Sequence, residues 1–134
     1  MAGFVTMSEV KIKLGDKKKR VLLIDDEREF TDLLNSTLEL HEDYEVCVEN
    51  LPHRALETAR NFKPDVVVLD IVMPEVDGGA VHAQFKADAA LKHIPIIYLT
   101  AIVQGQGAVG DSYYVAKPIS ARTLISVIAE RMGR

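Results

Sequence analysis

Val21-Leu22-Leu23-Ile24-Asp25-Asp26 sets four apolar residues directly before two acids, and the pattern recurs down the chain. Val66-Val67-Val68-Leu69 runs into Asp70, and Tyr113-Tyr114-Val115-Ala116 runs into Lys117 and Pro118. Short runs that are almost wholly apolar read as strands covered on both faces, the habit of a parallel sheet. The carboxyl ends of such strands gather at one sheet edge, where open α/β folds bind ligands. Asp25, Asp26, Asp70 and Lys117 then share one small pocket. Carboxylates about 4 Å apart at an effective dielectric of about 20 repel by roughly 4 kcal/mol per pair, so the cluster calls for a divalent cation or raised pKa values.

Outward from these runs, segments of strand length alternate with segments of helical period, the pattern of a βαβ fold. Strands are predicted at Arg20 to Ile24, Tyr44 to Val48, Val66 to Leu69, Ile96 to Leu99 and Tyr113 to Val115. Phe30, Leu33, Leu34, Thr37 and Leu38 recur at helical spacing, as do Ala55, Leu56 and Ala59 after Pro52. A helix from about Gly79 to Asp88 carries Val81 and Phe85 inward, and a last helix is capped by Ser120 and buries Leu124, Ile125 and Ile128. Gly105, Gly107 and Gly110 fall within six residues, each costing about 1 kcal/mol in a helix relative to alanine, so residues 104–111 are expected to form a loop or at most one helical turn.

A chain of 134 residues with 48% hydrophobic content buries one core of ordinary size, and one domain is expected. Residues 1–17 are expected to be an N-terminal extension or tail and 18–134 the domain proper; Val10, Ile12 and Leu14 alternate with lysines and fit a short amphipathic strand. The net charge of −4 argues against nonspecific nucleic-acid binding, and Lys17-Lys18-Lys19-Arg20 reads as a solvated lead-in to the first strand. Cys47 is alone, which excludes a disulfide or a cysteine-built metal site, and reads as a buried strand residue. His41, His53, His82 and His93 share no metal-ligand spacing and read as surface or partly buried. With no 18-residue apolar run and no secretory leader, membrane insertion and export are unsupported, and a cytoplasmic protein is expected.

Four motifs in order carry a resemblance to the receiver domains of two-component response regulators: Asp25-Asp26-Glu27, Asp70-Ile71-Val72-Met73-Pro74 with Asp77-Gly78, Leu99-Thr100-Ala101, and Lys117-Pro118. The resemblance implies a flavodoxin-like, doubly wound α/β fold with five parallel strands in the order 2-1-3-4-5. It implies Asp70 as a phosphoacceptor that takes a phosphoryl group from a sensor histidine kinase or phosphotransfer protein. Mg2+ is the implied cofactor, with Asp26 a direct ligand, Asp25 a water-mediated one, Asp70 beside them and the backbone carbonyl of Val72 a third protein ligand. Lys117 and Thr100 are implied phosphoryl contacts, Thr100 and Tyr114 the switch pair, and Lys117-Pro118 a cis candidate. Phosphorylation is implied to change protein contacts with an unknown downstream partner, without direct nucleic-acid binding.

One departure from the family pattern, and the residues at two further positions, carry consequences. Sixteen residues separate Thr100 from Lys117, too few for a full fourth helix, so that helix is expected to be shortened or replaced by the glycine-rich loop. Val72 and Ile102, at the two positions that flank the phosphoryl group, have no hydrogen-bonding side chain for an attacking water, which predicts slow self-dephosphorylation. Seventeen residues follow Lys117, room for the last helix, so a stand-alone regulator or a piece of a longer protein is expected. Two alternatives remain: a pseudo-receiver that keeps the fold as an interaction scaffold, and a Mg2+-dependent phosphohydrolase with an aspartyl-phosphate intermediate. The second usually carries Asp-x-Asp-x-Thr after the first strand, which Asp25-Asp26-Glu27-Arg28 lacks. A flavodoxin-like flavin protein shares the strand order, but its phosphate loop should be rich in hydroxyls and glycine rather than acids.

Overall fold

The computed structural model describes residues 18–41, 43–70, 78–100, 106–109, 112–116 and 120–132. Within them lie strands β1 (Lys19–Ile24), β2 (Tyr44–Glu49), β3 (Val66–Asp70), β4 (Ile96–Thr100), β5 (Gln106–Val109) and β6 (Ser112–Ala116). The helices are α1 (Arg28–Glu39), α2 (Ala55–Phe62, entered through a 3-10 turn at Pro52–Arg54), α3 (Gly78–Ala87) and α4 (Ala121–Arg131). One sheet holds all six strands in the order β2-β1-β3-β4-β6-β5. Its first five members are mutually parallel and reproduce the predicted 2-1-3-4-5 order, with β6 as the predicted fifth strand. Each predicted strand is extended by no more than one residue at either end.

Alternation along the strands divides the core into two layers, as a sheet covered on both faces requires. Val21, Leu23, Val66, Val68, Ile97, Leu99 and Val115 pack with Leu34 and Leu38 of α1 and Leu124, Val127 and Ile128 of α4. Leu22, Ile24, Val67, Leu69, Ile96 and Tyr98 pack with Ala55 and Ala59 of α2 and Val81 and Phe85 of α3. Each fully buried aliphatic side chain contributes roughly 1.5–3 kcal/mol, so this double layer fixes the register that builds the carboxyl edge. Ser120 caps α4 as the sequence predicts, its Oγ accepting from the Thr123 N–H at 3.1 Å.

The structure differs from the sequence reading at four places, the smallest being Ile125, expected buried but only half-buried against the core. Leu33, expected on the apolar face of α1, is 64% exposed, because the buried stripe runs through Thr31, Leu34 and Leu38 and Leu33 lies about 100° round the helix from Leu34. Cys47 is half-buried rather than enclosed, since β2 is an edge strand. Burial, followed by the negative charge of Glu49, pushes its thiol pKa up. The expected loop over residues 104–111 contains a strand: β5 pairs antiparallel with β6 from Gln106↔Val115 to Val109↔Ser112. Glycine argues against a helix there, but the outer edge of β6 offers a row of backbone N–H and C=O groups that an extended segment satisfies. Among the described residues no helix lies between β4 and β6. The N-terminal alternation of Val10, Ile12 and Leu14 lies outside the described residues.

Candidate functional site

Register assembles the acidic cluster. Ile24 is opposite Leu69 on β3 and Glu49 on β2, so the next residue, Asp25, emerges beside Asp70 at the carboxyl edge of the sheet. One carboxylate oxygen from each of Asp25, Asp26 and Asp70 lies within 4.8 Å of the others. Asp25 and Asp70 are buried, at 3% and 6% exposure, while Asp26 is half-exposed. Three hard oxygen donors at a partly open edge suit a small divalent cation that keeps several waters, the habit of magnesium. Receiver domains bind Mg2+ through such a cluster.

Asp25 is held by three hydrogen bonds. Its N–H donates to the Glu49 carbonyl at 3.3 Å, and its own carbonyl accepts from Asn50 Nδ2 at 2.7 Å. Its Oδ1 accepts from the Glu27 N–H at 2.9 Å, closing a local turn that launches α1. Asn50 Nδ2 also donates to Thr31 Oγ1 at 3.0 Å, whose hydroxyl lies 3.1 Å from the Arg28 carbonyl and 3.3 Å from that of Glu27. Glu49 is a buried carboxylate whose Oε2 accepts from the Leu51 N–H at 3.0 Å and whose Oε1 accepts from the Thr58 hydroxyl. Sequence reasoning missed Asn50, Thr31 and Glu49. A polar residue on the buried stripe of α1, and an acid-amide pair ending β2 at the ligand-binding edge, are the signals that pointed to them.

Thr100 ends β4, one step beyond the Asp70↔Leu99 pair, and its partner on β6 is Ala116, the residue before Lys117. Lys117, Val72, Ile102 and the Lys117-Pro118 bond lie outside the described residues. Tyr114 is half-buried on β6, its ring stacked on that of Tyr98 with centroids 5.0 Å apart and planes at 23°. Of the four histidines, His82 alone is part-buried, with its ring 5.4 Å from that of Tyr98; His41, His53 and His93 are exposed. No helix among the described residues is long and apolar enough to cross a membrane.

Comparison with known proteins agrees with this geometry. Residues 21–129 match the family described as the response regulator receiver domain. The polar-differentiation response regulator DivK of Brucella anthropi is 33% identical over 122 residues, which cover 86% of this chain and 97% of that protein. The DNA-binding dual master transcriptional regulator RpaA of Synechocystis is 30% identical over 121 residues, and the match spans about half of it, 49%. Among solved structures, the chemotaxis response regulator CheY4 of Vibrio cholerae superposes with a TM-score of 0.74 at 24% identity, over 86% of this chain and 99% of that one, a likeness of fold. The receiver domain of a DNA-binding response regulator of Colwellia psychrerythraea superposes with a TM-score of 0.71 at 26% identity, over 87% and 100% of the two chains. From the sheet order, the acidic edge and the family match together, the chain belongs to the response regulator receiver domains of two-component systems.

Proposed function

We propose that this chain is a phosphoacceptor module in which Asp70 receives a phosphoryl group from a histidine kinase or a histidine phosphotransfer protein. The observation that carries the reading is the convergence of Asp25, Asp26 and Asp70 within 4.8 Å at the carboxyl edge of the sheet. An Asp70 carboxylate oxygen forms a bond to phosphorus as the bond to the donor's imidazole nitrogen breaks. That nitrogen keeps the electron pair and takes up a proton. A bound Mg2+ offsets charge on the transferring group. Asp26 directly, Asp25 through water, Asp70 and the Val72 carbonyl would hold it. Lys117 neutralises one phosphoryl oxygen as a point charge, and Thr100 offers it a hydroxyl.

The output follows as a change in protein contacts biased by the added charge, with Thr100 and Tyr114 as the moving pair. In this reading residues 18–134 form the module, residues 1–17 an extension, and the protein acts in the cytoplasm as a signalling element rather than a turnover enzyme. It touches neither nucleic acid nor membrane directly.

Intact-protein mass after incubation with a small-molecule phosphodonor, with and without Mg2+, tests the reading. The expected result is a Mg2+-dependent gain of one phosphoryl group that Asp70→Asn abolishes. That the described residues between β4 and β6 form a strand and no helix favours a second reading, a pseudo-receiver scaffold. No mass gain from folded, Mg2+-bound protein, even with donor kinases supplied, would select it. Steady turnover of a phosphate ester would instead point to a phosphohydrolase.

A further inference from the structure

Tyr98 is 2% exposed, and its ring meets two others: Tyr114 on β6 and His82 on α3. Strand register fixes the first contact, because Tyr98 and Tyr114 are direct partners across the β4–β6 pair. The second links β4 to α3, with centroids 5.4 Å apart and planes at 49°. Tyr98 also stands two residues before Thr100 on the same strand, and Thr100 pairs with Ala116 beside Lys117. One buried ring is therefore common to the strand pair that ends at the acidic site and to a helix on the face of the sheet.

Buried rings in a close-packed interior do not move singly, since displacing one opens a void or forces a clash at the next. Offset-stacked rings occupy a narrow range of geometries, so a partner that tilts or leaves changes what its neighbour can adopt. Leu69, the β3 partner of Tyr98, and Phe85 of α3 are fully buried in the same layer, which leaves the Tyr98 ring little free volume of its own. His82 is itself only half-buried, so its ring lies partly at the surface of α3.

We propose that Tyr98 is a positioning residue that holds Tyr114 in the stack and passes its displacement to His82, making α3 an element that reports the state of the acidic site. The trigger rests on the phosphoacceptor reading; the mechanical coupling of the three rings does not. The route suits this chain, in which the described residues between β4 and β6 form a strand and no helix.

Fluorotyrosine incorporated into the full chain gives fluorine NMR signals for its four tyrosines, assigned by single Tyr→Phe variants. His82→Leu removes the far ring. The Tyr114 signal is expected to shift on His82→Leu in the parent protein and to stay fixed on the same change in a Tyr98→Met background. Methionine preserves most of the buried volume, and Tyr98→Leu serves if methionine fails to fold. A Tyr114 signal indifferent to His82→Leu, or responding equally with and without Tyr98, overturns the proposal.

A second comparison loads the chain with Mg2+ and beryllofluoride, a phosphoryl analogue whose binding is read from its own fluorine signal. The His82 ring proton of histidine-labelled protein is expected to shift in the parent and not in Tyr98→Met with the analogue bound. Bound analogue with a silent His82 in the parent overturns the relay. Failure of the analogue to bind overturns the phosphoacceptor reading and with it the trigger, while the ring comparison still decides the coupling.

Discussion

Asn50 donates through Nδ2 to the backbone carbonyl of Asp25 at 2.7 Å, tying the end of β2 to the first acid after β1. The same nitrogen reaches Thr31 Oγ1 at 3.0 Å, so two strand ends and the first turn of α1 meet at one amide. The neighbouring carboxylates repel, and these neutral groups hold the Asp25 backbone in place against that repulsion.

Replacing Asn50 with alanine leaves the Asp25 carbonyl and the Thr31 hydroxyl without that donor, at a cost of about 1–3 kcal/mol for partly buried groups. Urea unfolding of Asn50→Ala is expected to show a loss in that range. Mg2+ affinity is expected to fall by about tenfold, the usual effect of removing a group that orients a metal ligand. A stability loss with unchanged Mg2+ affinity would contradict the assigned role.

Neutralising one acid should have the opposite sign in metal-free protein. At the separations seen, each carboxylate pair repels by on the order of 4 kcal/mol at an effective dielectric of 20, and solvent at half-exposed Asp26 reduces the gain on relieving it to about 1 kcal/mol. Asp26→Asn is therefore expected to melt above the parent in a chelator. In millimolar Mg2+ the order should reverse or vanish, because the parent gains from binding and the variant does not. Parallel melts that respond equally to Mg2+ would remove Asp26 from the ligand set.

Where the chain's own periodicity decides the outcome, the fold was legible. Val21 to Ile24 and Val66 to Leu69 are apolar throughout, short and flanked by acids, which reads as central strands, and the acids after them then fall at the carboxyl edge. Illegible features depended on what a neighbour offered. Gln106–Val109 becomes a strand because β6 has an open edge beside it, which glycine content does not encode. Asn50 and Thr31 join the site only after β1, β2 and α1 are placed, and the Tyr98–Tyr114 stack exists only in the register that makes them partners. Leu33 illustrates the reverse error, an apolar residue counted inward although the stripe had already closed on Leu34 and Leu38.

Away from the site, Arg60 donates to Asp88 Oδ2 through two nitrogens, at 2.6 and 2.9 Å, and the Ala90 N–H donates to Oδ1 at 2.9 Å. The Arg60 guanidinium, then the Ala90 amide, holds the Asp88 carboxyl below the usual carboxylate range. The unfolded chain protonates this acid near pH 3.9, the folded chain only at lower pH. The stabilisation is present above the unfolded value and is lost as pH falls through the folded one. Asp88→Asn should be less stable than the parent at pH 7 and lose less on acidification from pH 5 to pH 2. Superimposable acid limbs for the two proteins would show that the pair contributes nothing to pH dependence.

Cys47 should behave as a protected thiol. Burial and the neighbouring Glu49 charge both favour its protonated form, and the thiolate is the reactive species. A disulfide reagent at neutral pH is expected to modify it several-fold more slowly in folded than in urea-unfolded protein. Glu49→Gln should speed the folded reaction, and an unchanged rate would leave access alone as the cause.

In the proposed phosphoacceptor reading, the lifetime of the phosphorylated state is expected to turn on two side chains with no polar atoms. Val72 and Ile102 occupy the positions that in receiver domains flank the phosphoryl group, and neither can hydrogen-bond an attacking water. Purified protein phosphorylated by a small donor and then freed of it should release phosphate slowly, as followed by intact mass over time. Introducing one hydrogen bond to the attacking water in the transition state is worth about 1.4 kcal/mol, or roughly tenfold in rate. Val72→Asn and Ile102→Gln are each expected to shorten the lifetime by about that factor while leaving phosphorylation at Asp70 intact. Rapid release by the parent, or lifetimes untouched by both substitutions, would mean that water is positioned by other groups and that these two positions do not govern the clock.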